Sequence, residues 1–220
     1  IQSTGIGIVK MKPDIVTISL GIEVIEKTVT EARNKTAISM AAMLAGLRGM
    51  GVIDDDIATT FFNIQPEYTF DQITETLPNG ERIKRTERRL IGYRVNNSLS
   101  VKIRDLDKVG IIIDETVDAG GDATRLNNIS FSVDNSSALE GNARTLALQD
   151  AVAKADLYAA ETGVTRGRLT SLVETSSNQF SNQPRLKNVA LTFEDAGPPT
   201  QILSGELEVR VTVQAVFDID

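Results

Sequence analysis

Residues 137–164, SALEGNARTLALQDAVAKADLYAAETGV, decide the fold of this 220-residue chain. Ser137 and Glu140 have the spacing of a capping box, which predicts the start of a helix, and Gly163 predicts its left-handed end. Alanine recurs at every fourth position along one helical face, at Ala143, Ala147, Ala151 and Ala155. Because alanine is small, this face predicts a helix whose backbone lies close to the sheet that it covers.

The sequence on both sides of this helix has the alternation of β-strands. Residues 15–25 alternate in this way, and residues 201–220 do so again at the end of the chain. Near the start, Gly5 and Gly7 lie in a short apolar stretch that no helix follows, so they predict a strand with close backbone approaches rather than a phosphate-binding loop.

A second capping box, Thr28 with Glu31, predicts a helix that ends near Gly51. Its apolar residues at helical spacing are Ala37, Met40, Ala41, Leu44 and Leu47. Residues 57–68 predict the next strand, and Pro78-Asn79-Gly80 predicts a hairpin turn that leads into a long return strand.

The order strand, capped helix, strand, strand therefore occurs twice, which predicts an α+β fold of two such units with antiparallel sheets covered by helices. The first unit is residues 1–104, a linking helix opened by Asp105 is residues 105–121, and the second unit is residues 122–220. Together they form one domain. The polar segment 176–183 predicts a loop or a hairpin tip.

Composition excludes several classes of function. The net charge of −7 argues against binding to nucleic acid, which requires a basic surface. With no histidine and no cysteine, the chain has no Ser-His-Asp or Cys-His site, no structural zinc site and no thiol redox chemistry. No apolar run reaches the ~20 residues of a membrane-spanning helix. Because the chain starts at Ile1, we expect that a targeting segment has been removed.

One basic run stands out, formed by Arg82, Lys84, Arg85, Arg88 and Arg89. It has two interpretations: a contact with an acidic partner or anionic surface, or a solvated hairpin strand partly neutralised by neighbouring glutamates. We favour the second, because exposed strands commonly carry charges that prevent aggregation.

Carboxylates offer two further candidate sites. Asp54-Asp55-Asp56 lacks the alternating ligands of a calcium loop and predicts an ordinary loop. Pairs drawn from Asp14, Glu23, Glu26 and Asp105 would be needed for acid–base catalysis, but sequence brings no two of them together. We therefore assign no catalytic, cofactor-binding or metal-binding residue.

The chain resembles the SIMPL-domain family, long described as a domain of unknown function. The resemblance begins with residues 4–24, TGIGIVKMKPDIVTISLGIEV. It continues through Gly51-Val52, Asp56-Ile57, Ile64-Gln65-Pro66, Ile91-Gly92-Tyr93-Arg94-Val95, Ala143-Arg144, Ala147, Ala151, Lys154, Ala155, Ala159 and Gly163. These matches span essentially the whole chain.

The resemblance implies an exported, non-enzymatic protein of the bacterial cell envelope, periplasmic or extracellular, that forms ring- or channel-like homo-oligomers and is linked to stress tolerance. It supplies no catalytic residues. Two polar regions, 67–90 and 176–201, are longer than the usual ~2–5-residue hairpin loops, so we expect them to project and contact other protomers. Two alternatives remain: a binding module with a pocket for a small ligand or glycan, and a hydrolase with two carboxylates ~5–10 Å apart.

Overall fold

The computed structural model describes residues 1–78, 80–176, 181–183 and 200–220. The fold is α+β, as predicted. Within these residues the elements in chain order are β1 (Gln2–Met11), β2 (Ile15–Glu26), α1 (Val29–Gly49), β3 (Ile57–Thr76), β4 (Arg82–Ile103), α2 (Val109–Gly120), β5 (Thr124–Ser132), α3 (Ser137–Thr162), β6 (Arg166–Ser176), β7 (Ser181–Gln183) and β8 (Glu206–Ile219).

The strands form two sheets. In the first, the order is β1-β8-β6, and the short strand β7 also pairs with β8. In the second, the order is β3-β4-β2-β5. Residues 176–183 were predicted to form a loop or a hairpin tip, and this is wrong for residues 181–183, which form strand β7. Residues 177–180 lie outside the described residues.

The chain divides into two compact units, and each is built from segments that are distant in sequence. One lies within the ranges Ile1–Ile15, Phe131–Phe193 and Leu203–Asp220, and the other within Val16–Ser130 and Glu194–Ile202. These units cross the boundaries predicted at 104 and 122, because the first strand of the chain pairs with the last and β5 joins the sheet of β2. The linking helix is present as α2, after a 3-10 turn at Leu106–Lys108, and it packs against α1.

The alanine face of α3 lies on the first sheet, as predicted. All four alanines and Ala159 are buried, and the four share a core with Val209, Val211, Val213, Ala215 and Phe217 of β8. A Cβ atom added to Gly5 would lie 2.0 Å from the carbonyl oxygen of Ala147. The glycines of β1 therefore allow the strand and helix backbones to touch, which confirms the close approach expected from the sequence.

The helix ends agree in part with those predicted from the sequence. The Thr28 hydroxyl accepts a hydrogen bond from the Glu31 amide at 3.2 Å, which confirms the first capping box. The second is displaced, because Ser136 is the residue that precedes the first turn of α3 and its side chain caps no backbone amide. Gly163 ends this helix with a left-handed φ of 72°. Asp105 is the N-cap residue of the 3-10 turn that precedes α2 rather than of α2 itself.

The buried face of α1 is rotated from the predicted one. Its buried residues are Ala32, Thr36, Met40, Met43 and Leu47, whereas Ala37 and Ala41 are exposed. Thr36 is tolerated in this face because its hydroxyl donates to the Ala32 carbonyl at 2.9 Å. A Cβ added to Gly120 of α2 would lie 3.1 Å from Met43 Cε and 3.2 Å from Ile22 Cδ1. Both helices therefore cover the face of the second sheet that contains Ile22.

Strands β3 and β4 continue beyond the rest of their sheet. Strand β2 pairs with β4 only between Tyr93 and Ile103, whereas β3 and β4 pair with each other as far as Thr76 and Arg82. We call residues 68–90 the hairpin arm. Gly80 has a φ of 86° in its turn; Asn79 of the predicted Pro-Asn-Gly turn lies outside the described residues.

Candidate functional site

The outer face of the second sheet, opposite α1 and α2, holds a polar cleft. Ile22 lies on the helix-covered face, so its neighbour Glu23 lies on the outer face. The strand registers place Glu23 beside Asn96, and Asn96 beside Asn63. The outer-face cleft has a volume of about 430 Å³ and is lined by Glu23, Phe61, Asn63, Gln65, Glu67, Arg94 and Asn96.

Arg94 is at the centre of the charges in this cleft. Its Nη1 lies 2.9 Å from Glu23 Oε2, and its Nε lies 2.9 Å from Glu67 Oε2. Arg125 of β5 adds a second contact to Glu23, with Nε 3.6 Å from Oε1. Hydrogen bonds to Glu67 and Glu23 raise the pKa of Arg94, and the bond from Arg94 lowers the pKa of Glu67. These two partners are therefore both charged at neutral pH.

The other carboxylates considered from the sequence are held by separate partners. Asp14 accepts from the Asp134 amide at 2.9 Å, Glu26 pairs with Lys35, and Asp105 lies 2.9 Å from Lys108. Of the sequence candidates, only Glu23 lines the outer-face cleft, and its carboxylate neighbour there is Glu67, which the sequence did not single out. The pairing of strands brings these two glutamates close together, because Glu23 lies on β2 and Glu67 on β3, the two strands on either side of β4.

The aspartates at residues 54–56 form a 3-10 turn after α1. Asp54 lies 2.7 Å from Arg48, and Asp56 lies 3.4 Å from Arg104. Within the described residues, no three or more His, Cys, Asp or Glu side chains are grouped so that they could hold a metal ion.

The basic run lies on β4 of the hairpin arm, and much of its charge is matched across the hairpin. Arg89 lies 3.0 Å from Asp71, and Arg85 lies 3.6 Å from Glu75. The guanidinium of Arg88 lies 3.5 Å from the ring centroid of Tyr68. These contacts support the interpretation of the run as a solvated hairpin strand.

The hairpin arm also exposes apolar side chains. The exposed set is Phe70, Ile73 and Leu90. Phe70 has the largest exposed fraction of the three, 67%. The arm therefore combines charges that are matched across the hairpin with exposed apolar side chains.

Comparison with known proteins identifies the family to which this chain belongs. Residues 1–217 match the model of the family named SIMPL, a protein family of unknown function (DUF541), and the chain belongs to this family. It is 32% identical over 225 residues to the 26 kDa periplasmic immunogenic protein of Brucella melitensis, covering 100% of this chain and 84% of that protein. It is 25% identical over 155 residues to the uncharacterized protein YggE of Escherichia coli K12, covering 70% of this chain and 57% of YggE.

None of the helices in the described part of the chain is both long enough and apolar enough to cross a membrane.

Proposed function

We propose that this chain is a non-enzymatic protein of the bacterial cell envelope that acts through homo-oligomeric, ring- or channel-like assembly, with the hairpin arm as the main contact between protomers. The exposed hairpin arm is the observation that carries the proposal. A two-stranded hairpin that packs on nothing is at best marginally stable in water, and this one exposes apolar groups as well. Burial of the arm against another protomer would stabilise both features.

The charges of the arm point to a second copy of the same chain as the partner. Strand β3 of the arm contributes the acidic residues Asp71 and Glu75, whereas β4 contributes all five members of the basic run. One edge of the arm is therefore acidic and the other largely basic. Within one arm Asp71 already contacts Arg89 and Glu75 contacts Arg85, so two arms laid side by side would share these pairs between neighbouring edges, and such matching favours correct register at an interface.

Envelope location is supported by the Brucella relative, which is named a periplasmic protein. A contribution to stress tolerance is the role we propose for the assembly, on the strength of the family resemblance.

The absence of catalysis is also part of the proposal. A hydrolase that uses paired carboxylates needs one of them protonated as a general acid, which requires a raised pKa. In the outer-face cleft, Arg94 has the opposite effect on Glu67 and lowers its pKa.

The proposal is tested by shortening the arm. Residues 74–84 are replaced by a two-residue turn, and molar mass is measured by size-exclusion chromatography with light scattering. We expect the shortened chain to keep its circular dichroism spectrum and to have a lower molar mass than the intact chain. An unchanged mass would show that the arm is not the contact.

Point variants provide a matched comparison. Phe70 of the arm is 67% exposed and Ile38 of α1 is 70% exposed. Phe70→Ser should lower the molar mass, whereas Ile38→Ser should leave it unchanged. If the two substitutions change the molar mass equally, the arm is not the specific contact between protomers.

A further inference from the structure

We propose that the outer-face cleft binds a neutral saccharide, with Phe61 as the stacking platform and the side-chain amides as the hydrogen-bonding groups. This inference does not depend on assembly, because the cleft lies on the sheet and not on the hairpin arm. Its volume of about 430 Å³ falls within the range of small-molecule sites, ~300–1,000 Å³.

The charges in the cleft select the class of ligand. Arg94 is bound on both sides by carboxylates, and Glu23 is also contacted by Arg125. The two arginines and two glutamates balance each other. An anion would have to displace a carboxylate from Arg94, and a cation would have to displace Arg94 from a carboxylate, so a neutral ligand is favoured.

The side-chain amides of Asn63, Gln65 and Asn96 are the uncharged polar groups of the cleft. Asn63 donates to Gln65 at 3.3 Å, and Asn96 accepts from Ser98 at 3.1 Å. Among the described residues, the Asn96 and Gln65 amide N–H groups have no protein partner. Each side-chain amide carries two N–H donors and an acceptor oxygen. A row of them can bind hydroxyl or acetamido groups, which both donate and accept.

Phe61 supplies the apolar part of the site. Its ring lines the cleft and is 51% exposed, although the adjacent groups are polar. A sugar ring has an apolar face formed by its C–H groups and a polar rim formed by its hydroxyls. An exposed aromatic ring beside amides matches both parts, whereas a purely apolar ligand would leave amide N–H groups without partners and would remove water from the ion pairs.

Titration with two uncharged trisaccharides tests the proposal and separates the possible sources of such a ligand. Chitotriose presents N-acetyl groups, and cellotriose presents hydroxyls alone. Each is added to ¹⁵N-labelled protein, and amide shifts are followed by NMR. We expect saturable shifts confined to residues on β2, β3 and β4 that line the cleft. Binding of chitotriose alone identifies an N-acetylated glycan, and binding of both identifies recognition through hydroxyls.

Variants then test the assigned roles. Phe61→Ala should weaken binding about tenfold or more, and Asn96→Ala should weaken it severalfold. Phe62→Ala removes an exposed phenylalanine from the opposite face of β3, outside the cleft, and should leave affinity unchanged. The proposal is overturned if neither sugar produces saturable shifts at millimolar concentration. It is equally overturned if Phe62→Ala weakens binding as much as Phe61→Ala.

Discussion

Gly7 of β1 lies directly against Ala143 of α3: a Cβ atom at Gly7 would be only 1.9 Å from the Ala143 carbonyl oxygen. The strand and helix therefore contact each other through their backbones, and no side-chain rotation relieves an added methyl group. Gly5 makes the equivalent contact with Ala147 one turn along the helix. This pairing of glycines with alanines fixes the distance between α3 and the first sheet.

Gly7→Ala is therefore expected to destabilise the fold by ~1–3 kcal/mol or more, the usual cost of overpacking a filled interface. Gly141→Ala, on α3, is the control, because a Cβ atom at that position would have no neighbouring atom within 4 Å. It should stabilise the chain by ~0.5–1 kcal/mol through the helix propensity of alanine. Urea unfolding of the two variants measures both effects. Equal stabilities would contradict the backbone contact.

Ala151→Leu adds three carbons to the buried face of α3 and should also cost ~1–3 kcal/mol. Ala153→Leu makes the same chemical change at an exposed position two residues away, where we expect a change within about ±0.5 kcal/mol. Lys154 is a poor control, because its ammonium donates to the Thr4 carbonyl at 3.0 Å and lies 2.7 Å from Asp150. If Ala151→Leu is neutral, α3 does not pack as the structure has it.

Asp150 predicts a pH dependence of stability. Its carboxylate accepts from Lys154 and from the Ile6 amide of β1, and these bonds lower the pKa of Asp150 in the folded state. A lowered folded pKa contributes stability above the unfolded value of ~3.9, and this contribution is lost as pH falls through the folded pKa. Asp150→Asn should therefore be less stable than the parent at pH 7, and the difference should shrink below about pH 4. Urea unfolding at pH 7 and pH 3 measures this, and a gap that widens in acid would refute the assignment.

Because the chain contains no cysteine, single cysteines report protomer contacts cleanly. Gln72→Cys places a thiol on the exposed surface of the hairpin arm, and Glu161→Cys places one at the exposed end of α3. With a flexible bismaleimide, the first variant should give a crosslinked dimer band and the second should remain a single chain. Crosslinking of both to the same extent would mean random collision.

Local features of the fold were predictable because they arise from residues close in sequence. The Thr28–Glu31 capping box and the Gly163 helix end needed only a few neighbouring residues, and the glycines of β1 correctly indicated close backbone approach. The α3 start was missed by one position because Ser136, Ser137 and Asn135 are adjacent polar residues and compete for the cap. Asn135 accepts from the Ser137 amide at 3.2 Å, and Ser137 lies in the first turn of α3 and does not cap it.

The sequence did not predict which of the distant strands pair with each other. Nothing in the local pattern of β1 indicates that it pairs with β8, about 200 residues later. The outer-face cleft has the same origin, since Glu23, Glu67 and Arg94 lie on three strands and meet only through register. Alternation in β2 did place Glu23 on the polar face, and the hairpin register of β3 and β4 relates Glu67 to Arg94, but the pairing of β2 with β4 does not arise from a hairpin.

The measurement that most directly tests arm-mediated assembly is the molar mass of the intact chain by light scattering across a range of concentrations. One protomer has a mass of 23.8 kDa. The proposal predicts a mass that is a fixed multiple of this value and that falls when residues 74–84 are replaced by a short turn. A mass of 23.8 kDa at every concentration would contradict it.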